Sequence, residues 1–293
     1  MKILITGASG FLGVNLVKRI IDNKEIDMIY CVGRSEMPVR DKKVIWIKSD
    51  IREVNKLRLD DTVDVVVHLA AYLKYESKKM FEAVNVNGTE NIIAFCKNNG
   101  INRIIHCSTI NVKLRNKGGY ATTKMKAEKL IESSGLNHVI VRPTLIYGQQ
   151  DKGLNKMISS AKKFGVIPVF GKGGNLQQPV YVDELAVFFE KLIFCDLENT
   201  VLELGGLEWV TYMEMVDGIK NALGKNVYPI KIPAKIALAV LSIIEFLNIP
   251  FMLRREQIWQ NNEDLICQNE IDISAFQVKQ SGFIENLRKY VRK

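Results

Sequence analysis

Short apolar runs, rich in β-branched residues, recur through the first half of the chain and alternate with longer segments of helical period. Runs of this length and composition are typical of strands buried on both faces of a parallel sheet. Between them, segments such as FLGVNLVKRIIDNK and KKMFEAVNVNGTENIIAFCKNNG repeat apolar residues at helical spacing. The pattern predicts an α/β fold, a doubly wound parallel sheet with helices on both faces. The predicted strands are KILIT, MIYCVG, VIWIK, VDVVVHLA, RIIHCS and HVIVRP.

The alternation changes after Tyr147. There the pattern predicts a helix at LNKMISSAKKFG, a loop at FGKGGNLQQP, a helix at VDELAVFFEKLIF and strands at TVLELGG and NVYPIKIP. We therefore expect the chain to cross more than once between the sheet and a smaller C-terminal region.

The most hydrophobic stretch is IPAKIALAVLSIIEFLNIPF, residues 232–251. A membrane span needs about 20 mostly apolar residues, and this run is interrupted by Lys235, Glu245, Asn248 and Pro250. We interpret it as a core helix of the C-terminal region. Because its apolar residues run nearly all round the helix, weak docking on a membrane surface stays open as an alternative.

Composition and charge narrow the function classes. The 293 residues are 47% hydrophobic and 25% charged, which is typical of a globular protein with a large core. The 41 Lys and Arg against 32 Asp and Glu give a net charge of +9, which suits an anionic ligand such as a nucleotide. The chain shows no basic run with interleaved aromatic residues, so we expect no nucleic-acid partner.

Cysteine and histidine usage argues against a metal site. The cysteines stand singly, without CxxC or Cys/His pairing, which fits reduced thiols better than a disulfide framework. The three histidines, His68, His106 and His138, lack metal-ligand spacing, and we interpret them as core residues. The first residues lack the features of a secretory signal, so a cytoplasmic location is expected. The cysteines are Cys31, Cys96, Cys107, Cys195 and Cys267.

The segment TGASGFLG, from Thr6 to Gly13, carries the strongest ligand signal. Gly7, Gly10 and Gly13 follow the predicted strand KILIT directly and open the next predicted helix. This spacing favours a tight turn at Gly7, close approach of a pyrophosphate at Gly10 and close helix packing at Gly13. The pattern predicts a dinucleotide site of Rossmann type, with Phe11 and Leu12 at the helix amino end.

The end of the second strand bears on which dinucleotide is bound. Sites that prefer NAD usually offer an acidic residue to the adenosine ribose here, whereas this chain has Arg34 and Ser35 after Gly33. A guanidinium and a hydroxyl suit a 2′-phosphate. We therefore expect NADP(H) to be preferred over NAD(H).

Tyr120 and Lys124 stand four residues apart in the predicted helix GGYATTKMKAEKLIE. At this spacing they share a face, and the ammonium favours the phenolate over the phenol, which suits an acid/base. Ser108 and Thr109 follow the strand RIIHC, where a hydroxyl can bond the same substrate oxygen. The constellation predicts a catalytic site of Tyr120, Lys124 and one of these two hydroxyls.

Together these motifs resemble the short-chain dehydrogenase/reductase superfamily, in its extended branch of NAD(P)-dependent epimerases and dehydratases. Besides TGASGFLG, the likeness is carried by HLAA, NVNGTENI, CST, VRPTLIYG and QPVYVDELA, and it covers nearly the whole chain. It implies a dinucleotide-binding domain at residues 1–170, to which segments within 178–208 return, and a mainly substrate-binding region at 171–293. Of the two hydroxyls after RIIHC, it implies Thr109 as the catalytic one. The further cofactor contacts that it implies are Asp50, Ile51, Leu69, Ala70, Ala71, Asn85, Lys124 and Pro143.

The resemblance implies hydride transfer at a hydroxyl or keto carbon by an epimerase or reductase, with a nucleotide sugar as the leading substrate. Asn111, Lys172 and Arg254 are the candidate substrate contacts, the two cations through a diphosphate. A lipid-like or steroid-like alcohol is the alternative substrate. A homodimer is left open.

The compact second half also resembles an atypical subgroup that includes the NADPH-binding accessory subunit of respiratory complex I. That resemblance implies a second hypothesis, a non-catalytic NADP(H)-binding subunit or redox sensor. The presence of both Tyr120 and Lys124 favours an enzyme.

Overall fold

A parallel sheet lies at the centre of the computed structural model, and helices cover both of its faces. The described residues are 1–54, 57, 59, 61–73, 77–246, 255, 258–259 and 262–291.

Seven strands form the central sheet, and every neighbouring pair is parallel. They are β1 (Lys2–Thr6), β2 (Met28–Gly33), β3 (Val44–Lys48), β4 (Val65–His68), β5 (Arg103–Cys107), β6 (Asn137–Pro143) and β11 (Thr200–Leu204). Their order is β11-β6-β5-β4-β1-β2-β3, which confirms the predicted doubly wound sheet. Because the chain order reverses on either side of β1, ligands are expected at the carboxyl ends of β1 and β4.

Two helical layers sandwich the sheet because its strands are apolar on both faces. On one face α1 (Phe11–Ile20) packs against α6 (Val182–Phe194). On the other, α3 (Asn87–Asn98) packs against α4 (Gly118–Glu132). A short helix α2 (Lys78–Phe81) and a π-helical turn (Glu82–Val86) lead into α3.

The second half of the chain builds a smaller apolar cluster beside the sheet. It is formed by α5 (Leu154–Phe164), α7 (Tyr212–Leu223), α9 (Phe283–Val291) and β8 (Val166–Phe170). The remaining strands are β7 (Ile146–Tyr147), β9 (Leu176–Gln177), β10 (Val180–Tyr181), β12 (Val210–Thr211) and β13 (Tyr228–Ile232). In the described part of the chain they form two-stranded sheets, in which β7 pairs with β10, β9 with β12, and β8 with β13.

Helix α8 (Ala234–Phe246) coincides with the most hydrophobic stretch of the sequence. One side packs through Ala237 and Leu241, whereas Ile236, Val240 and Ile243 on the opposite side are 57%, 50% and 60% exposed. Across the described part of the chain, every helix is too short or too polar to span a bilayer.

Candidate active site

The turn between β1 and α1 is built so that only glycine fits at its first position. Gly7 has φ +70°, and its N–H donates to the Val32 carbonyl at 3.0 Å. A Cβ there would lie 2.7 Å from the backbone nitrogen of Ala70. The backbone of the turn therefore packs directly against the segment that follows β4.

The amino end of α1 fits a pyrophosphate. Gly10 caps the described helix without a side-chain hydrogen bond, and no acidic residue lies in its first turn, which begins with Phe11 and Leu12. A Cβ on Gly13 would lie 2.3 Å from the Gly7 carbonyl oxygen, so the helix approaches the turn closely. The N–H groups and the dipole at the start of the helix are thus available to an anion, and the cap residue Gly10 has no side chain to obstruct it.

The segment after β4 is held from two sides. The Leu69 N–H donates to the Thr6 carbonyl at 3.1 Å, and the Tyr72 N–H donates to Asn85 Oδ1 at 2.7 Å. Leu69, Ala70 and Ala71 between these anchors are only partly buried. Asn85 lies in the π-helical turn, and its amide also donates to Thr123 Oγ1 on α4 at 3.0 Å. The Asn85 side chain therefore links the segment after β4, where the cofactor is expected, to helix α4, which carries Tyr120 and Lys124.

Charged side chains of both signs lie near the end of β2. Arg34 and Ser35 are both exposed there. The Arg52 guanidinium donates to both carboxylate oxygens of Asp50, at 3.0 and 2.9 Å, and these hydrogen bonds hold the pKa of Asp50 below its usual range. Ile51 is buried.

Helix α4 carries Tyr120 and Lys124 to the carboxyl end of β5. The Lys124 ammonium donates to the Cys107 carbonyl at 2.7 Å and to Nε2 of His106 at 2.8 Å. Lys124 is 1% exposed, and burial lowers its pKa to about 8. Tyr120, one turn earlier on the helix, packs at the edge of the apolar layer between α3 and α4.

Thr109 and the residues after it are fixed by contacts with the C-terminal region. Thr109 Oγ1 accepts from the Asn111 N–H at 3.3 Å and caps a short 3₁₀ helix at Ile110–Lys113. The Glu263 carboxylate accepts from the backbone N–H groups of Arg115 and Asn116, at 3.0 and 3.2 Å. A cavity of about 340 Å³ opens beside this loop, lined by Ile110, Lys113, Leu114, Arg115, residues 263–266 and Gln268.

The sequence model of the NAD dependent epimerase/dehydratase family matches residues 3–194 of the chain. The chain belongs to the NAD-dependent epimerase/dehydratase family. The resemblance found in its motifs is thereby confirmed.

Relatives of this family member include both enzymes and a respiratory subunit. A 2-alkyl-3-oxoalkanoate reductase of Stenotrophomonas maltophilia is 29% identical over 64% of the chain. The mitochondrial NADH dehydrogenase (ubiquinone) 1 alpha subcomplex subunit 9 of Arabidopsis thaliana is 26% identical over 87% of the chain. The chain spans 63% and 66% of the length of these two curated relatives.

The fold is shared with solved structures of nucleotide-sugar enzymes. The crystal structure of a dTDP-glucose 4,6-dehydratase from Streptomyces venezuelae, with NAD bound, superposes with a TM-score of 0.80. It is 20% identical, and the match covers 100% of this chain and 96% of that one.

Not all the predicted residues of this epimerase/dehydratase-family chain lie at the same place. Several of the predicted cofactor-binding and catalytic residues lie around the carboxyl ends of β1, β4 and β5. They are those of the glycine turn, Leu69–Ala71, Asn85, Thr109, Tyr120 and Lys124. Pro143 ends β6 nearby and is buried. Lys172 is exposed in the loop after β8. Arg254 lies outside the described residues.

Sequence reasoning missed the contact between His106 and Lys124. The prediction treated it as a core residue, and it is indeed fully buried, but its imidazole contacts Lys124 directly. His68 lies beside it on β4, with the ring centroids 4.9 Å apart. The available signal was a polar residue in each of two adjacent buried strands, just before the predicted functional loops.

Proposed function

We propose that this chain is an NAD(P)-dependent epimerase or reductase that acts at a hydroxyl or keto carbon of a nucleotide sugar. The observation that carries the proposal is the Lys124 ammonium, 2.7 Å from the Cys107 carbonyl. This contact brings the Tyr120 and Lys124 pair to the strand end that Thr109 follows. The glycine turn and the segment after β4 lie at the neighbouring strand ends.

The residues divide the acid/base work among them. Tyr120 takes the proton of the substrate hydroxyl during oxidation and returns it during reduction. Lys124 supplies the positive charge that favours the phenolate, and Thr109 orients the reacting oxygen. The glycine turn and the amino end of α1 would hold a nicotinamide dinucleotide, which would supply hydride-transfer chemistry at the reacting carbon.

The cofactor that we propose is NADP(H) in preference to NAD(H). Arg34 and Ser35 are exposed at the strand end where the adenosine ribose is expected, and the Asp50 carboxylate nearby is already paired with Arg52. An exposed guanidinium with no acidic residue beside it in the sequence favours a 2′-phosphate.

A nucleotide sugar is supported by the family and by the dTDP-glucose dehydratase fold. Lys113 and Arg115 line the cavity beside Ile110, but Glu263 and Asp264 line it too and Lys113 is paired with Glu203, so the nucleotide sugar is proposed from the family and not from the charge of this cavity. The reductase of Stenotrophomonas maltophilia supports the competing substrate class, a lipid-like alcohol or keto acid. Apolar Ile110, Leu114 and Leu265 line the same cavity.

A second candidate function is a non-catalytic NADP(H)-binding subunit. The observation that favours it is the match to the Arabidopsis respiratory subunit, which extends over 87% of this chain. In this case the glycine turn would bind the dinucleotide for stability or sensing alone.

The test compares wild type with Tyr120→Phe, using UDP-, GDP- and dTDP-sugars and a set of 3-oxoacyl and steroid alcohols, with both cofactors. We expect turnover by wild type and a loss of about 10²- to 10⁴-fold in kcat for Tyr120→Phe, with dinucleotide affinity retained. Tyr228→Phe, at an exposed position on β13, is the matched control and should stay active.

Full turnover by Tyr120→Phe would refute the acid/base role. If wild type binds dinucleotide but turns over no substrate, and Tyr120→Phe keeps the cellular role, the second candidate function replaces the first.

A further inference from the structure

A buried imidazole lies behind the proposed catalytic lysine. His106 is 0% exposed, and its Nε2 is 2.8 Å from Lys124 Nζ. Its other ring nitrogen, Nδ1, is buried and has no hydrogen-bond partner among the described residues. Buried polar atoms without partners are rare in native proteins and often mark functional sites.

The contact determines which nitrogen of His106 carries the proton. Burial, reinforced by the Lys124 charge and only partly offset by a contact with the His68 backbone, lowers the pKa of His106 well below its usual value, so the ring is neutral. A neutral imidazole has one donor and one acceptor nitrogen, and an ammonium is a donor only. Nε2 must therefore accept from Lys124, and the proton lies on the unpartnered Nδ1.

His106 cannot easily turn away from this position. His68 packs against it at 4.9 Å between ring centroids, and the His68 ring is itself held between two hydroxyls. Its Nδ1 lies 2.7 Å from Thr6 Oγ1 and its Nε2 lies 3.1 Å from Thr89 Oγ1. Burial lowers the pKa of His68 to about 3, so this supporting ring is neutral as well.

We propose that His106 is a positioning residue for the reaction assigned above, holding the Lys124 ammonium at the end of β5 and maintaining its charge. The expected effect on catalysis rests on the proposed function, whereas the expected effect of His106 on the protonation of Lys124 does not depend on it. The ammonium has two acceptors here, the His106 imidazole and the Cys107 carbonyl, and the imidazole is the one that a side-chain substitution removes.

The direction of the effect follows from the charges around Lys124. The titratable groups around it are His106 and Cys107 on β5, His68 on β4 and Glu128 on its own helix, where Glu128 is paired with Arg142 on β6. Tyr120, which the proposed function couples to Lys124, lies one turn earlier on that helix. Burial raises the pKa of the Cys107 thiol to about 11, so it is neutral near pH 8. Removing a neutral acceptor disfavours the charged amine, so Lys124 should lose its proton at lower pH.

The test titrates Lys124 directly, in protein labelled with ¹³C and ¹⁵N at lysine and histidine side chains and without substrate. The Lys124 signal is assigned with Lys124→Arg. In His106→Leu we expect the Lys124 midpoint to fall by about one pH unit or more. In His106→Gln, whose amide oxygen can accept the same bond, we expect it to return close to the wild-type midpoint.

The matched control is His138→Leu. His138 is a buried histidine on β6 whose Nδ1 lies 3.0 Å from the Leu136 carbonyl. The His138→Leu variant should leave the Lys124 midpoint unchanged. If the proposed function holds, the alkaline limb of the pH profile of kcat should move in His106→Leu by the same amount as the midpoint.

An unchanged Lys124 midpoint in His106→Leu would overturn the proposal, whatever the activity. Should that variant fail to fold, the ¹⁵N signals of His106 in wild type decide. The proposal requires a protonated Nδ1 below the Lys124 midpoint and a change in both ring signals through it. A proton on Nε2 at neutral pH would overturn it.

Discussion

At the scale of single residues, Arg34 carries the clearest consequence for ligand choice. It lies exposed one residue beyond Gly33, at the end of β2. Its charge contributes to lowering the pKa of Asp50, so the two groups are near each other, but the Asp50 carboxylate already accepts two hydrogen bonds from Arg52. The Arg34 guanidinium therefore remains the residue best suited to bind a phosphate at this strand end.

We predict that NADPH binds more tightly than NADH and that Arg34→Ala removes most of the difference. A hydrogen bond to a charged group contributes about 1.5–3 kcal/mol, which corresponds to roughly 10- to 100-fold in affinity. Fluorescence titration with each cofactor measures it. Arg40→Ala is the control, since Arg40 pairs with Glu36 in the same exposed segment and should leave the preference unchanged. Equal affinities of wild type for the two cofactors would contradict the prediction.

At the scale of elements, α4 is tied to the sheet by a buried ion pair. The Arg142 guanidinium on β6 donates to both oxygens of Glu128, at 2.9 and 2.7 Å, and Glu128 is 2% exposed. Arg142 stands opposite Glu203 on β11, and Glu203 in turn pairs with Lys113 at 2.6 Å. The helix that carries Tyr120 is thus anchored to β6, and the loop that follows Thr109 is anchored to the neighbouring strand β11.

We predict that Arg142→Met lowers the free energy of unfolding by about 3 kcal/mol or more, because it leaves a carboxylate buried without its partner. The double variant Arg142→Met with Glu128→Gln should recover part of that loss. Urea unfolding at neutral pH measures both. Lys126 on the same helix α4 forms a half-exposed ion pair with Glu82 of the π-helical turn. Lys126→Met breaks that pair and should lower the free energy of unfolding by less than about 1 kcal/mol. Losses of unfolding free energy of similar size at the two positions would contradict the prediction, because the buried pair would then contribute no more than the half-exposed one.

At the scale of the whole molecule, the outer face of α8 bears on what the protein contacts. The exposed positions Ile236, Val240 and Ile243 follow one another at helical spacing, and Lys235 flanks them. Helix α8 contains one lysine, Lys235, near its start and one acidic residue, Glu245, near its end. An apolar face with a lysine beside it is compatible with the surface of an anionic bilayer, so the weak membrane-surface contact that the sequence left open as an alternative stays a prediction.

We predict weak flotation of the full chain with vesicles that contain anionic lipid, and less with neutral vesicles. Replacing Ile236, Val240 and Ile243 together by Ser should abolish it, since each removes apolar area from the contact. The control replaces Leu207 and Trp209, which are 59% and 57% exposed elsewhere on the molecule. Absence of flotation with a concentration-dependent dimer in light scattering would assign the face to a second copy instead.

The sequence alone determined the features whose causes are local. Strand and helix periods predicted the sheet and the main helices, and the helices predicted at LNKMISSAKKFG and VDELAVFFEKLIF match α5 and α6. The glycine spacing predicted the turn because a positive φ at Gly7 is a property of one residue. The four-residue spacing of Tyr120 and Lys124 on one helix is equally local.

Only the tertiary structure decided which distant residues meet. His106 reaches Lys124 because β5 and α4 pack together, and no periodicity in the sequence distinguishes that contact from ordinary core packing. Likewise Glu263 holds Arg115 across 148 residues, and β11 completes the sheet beside β6 after a long excursion of the chain. Such contacts depend on the summed burial of many side chains, so a local pattern carries no record of them.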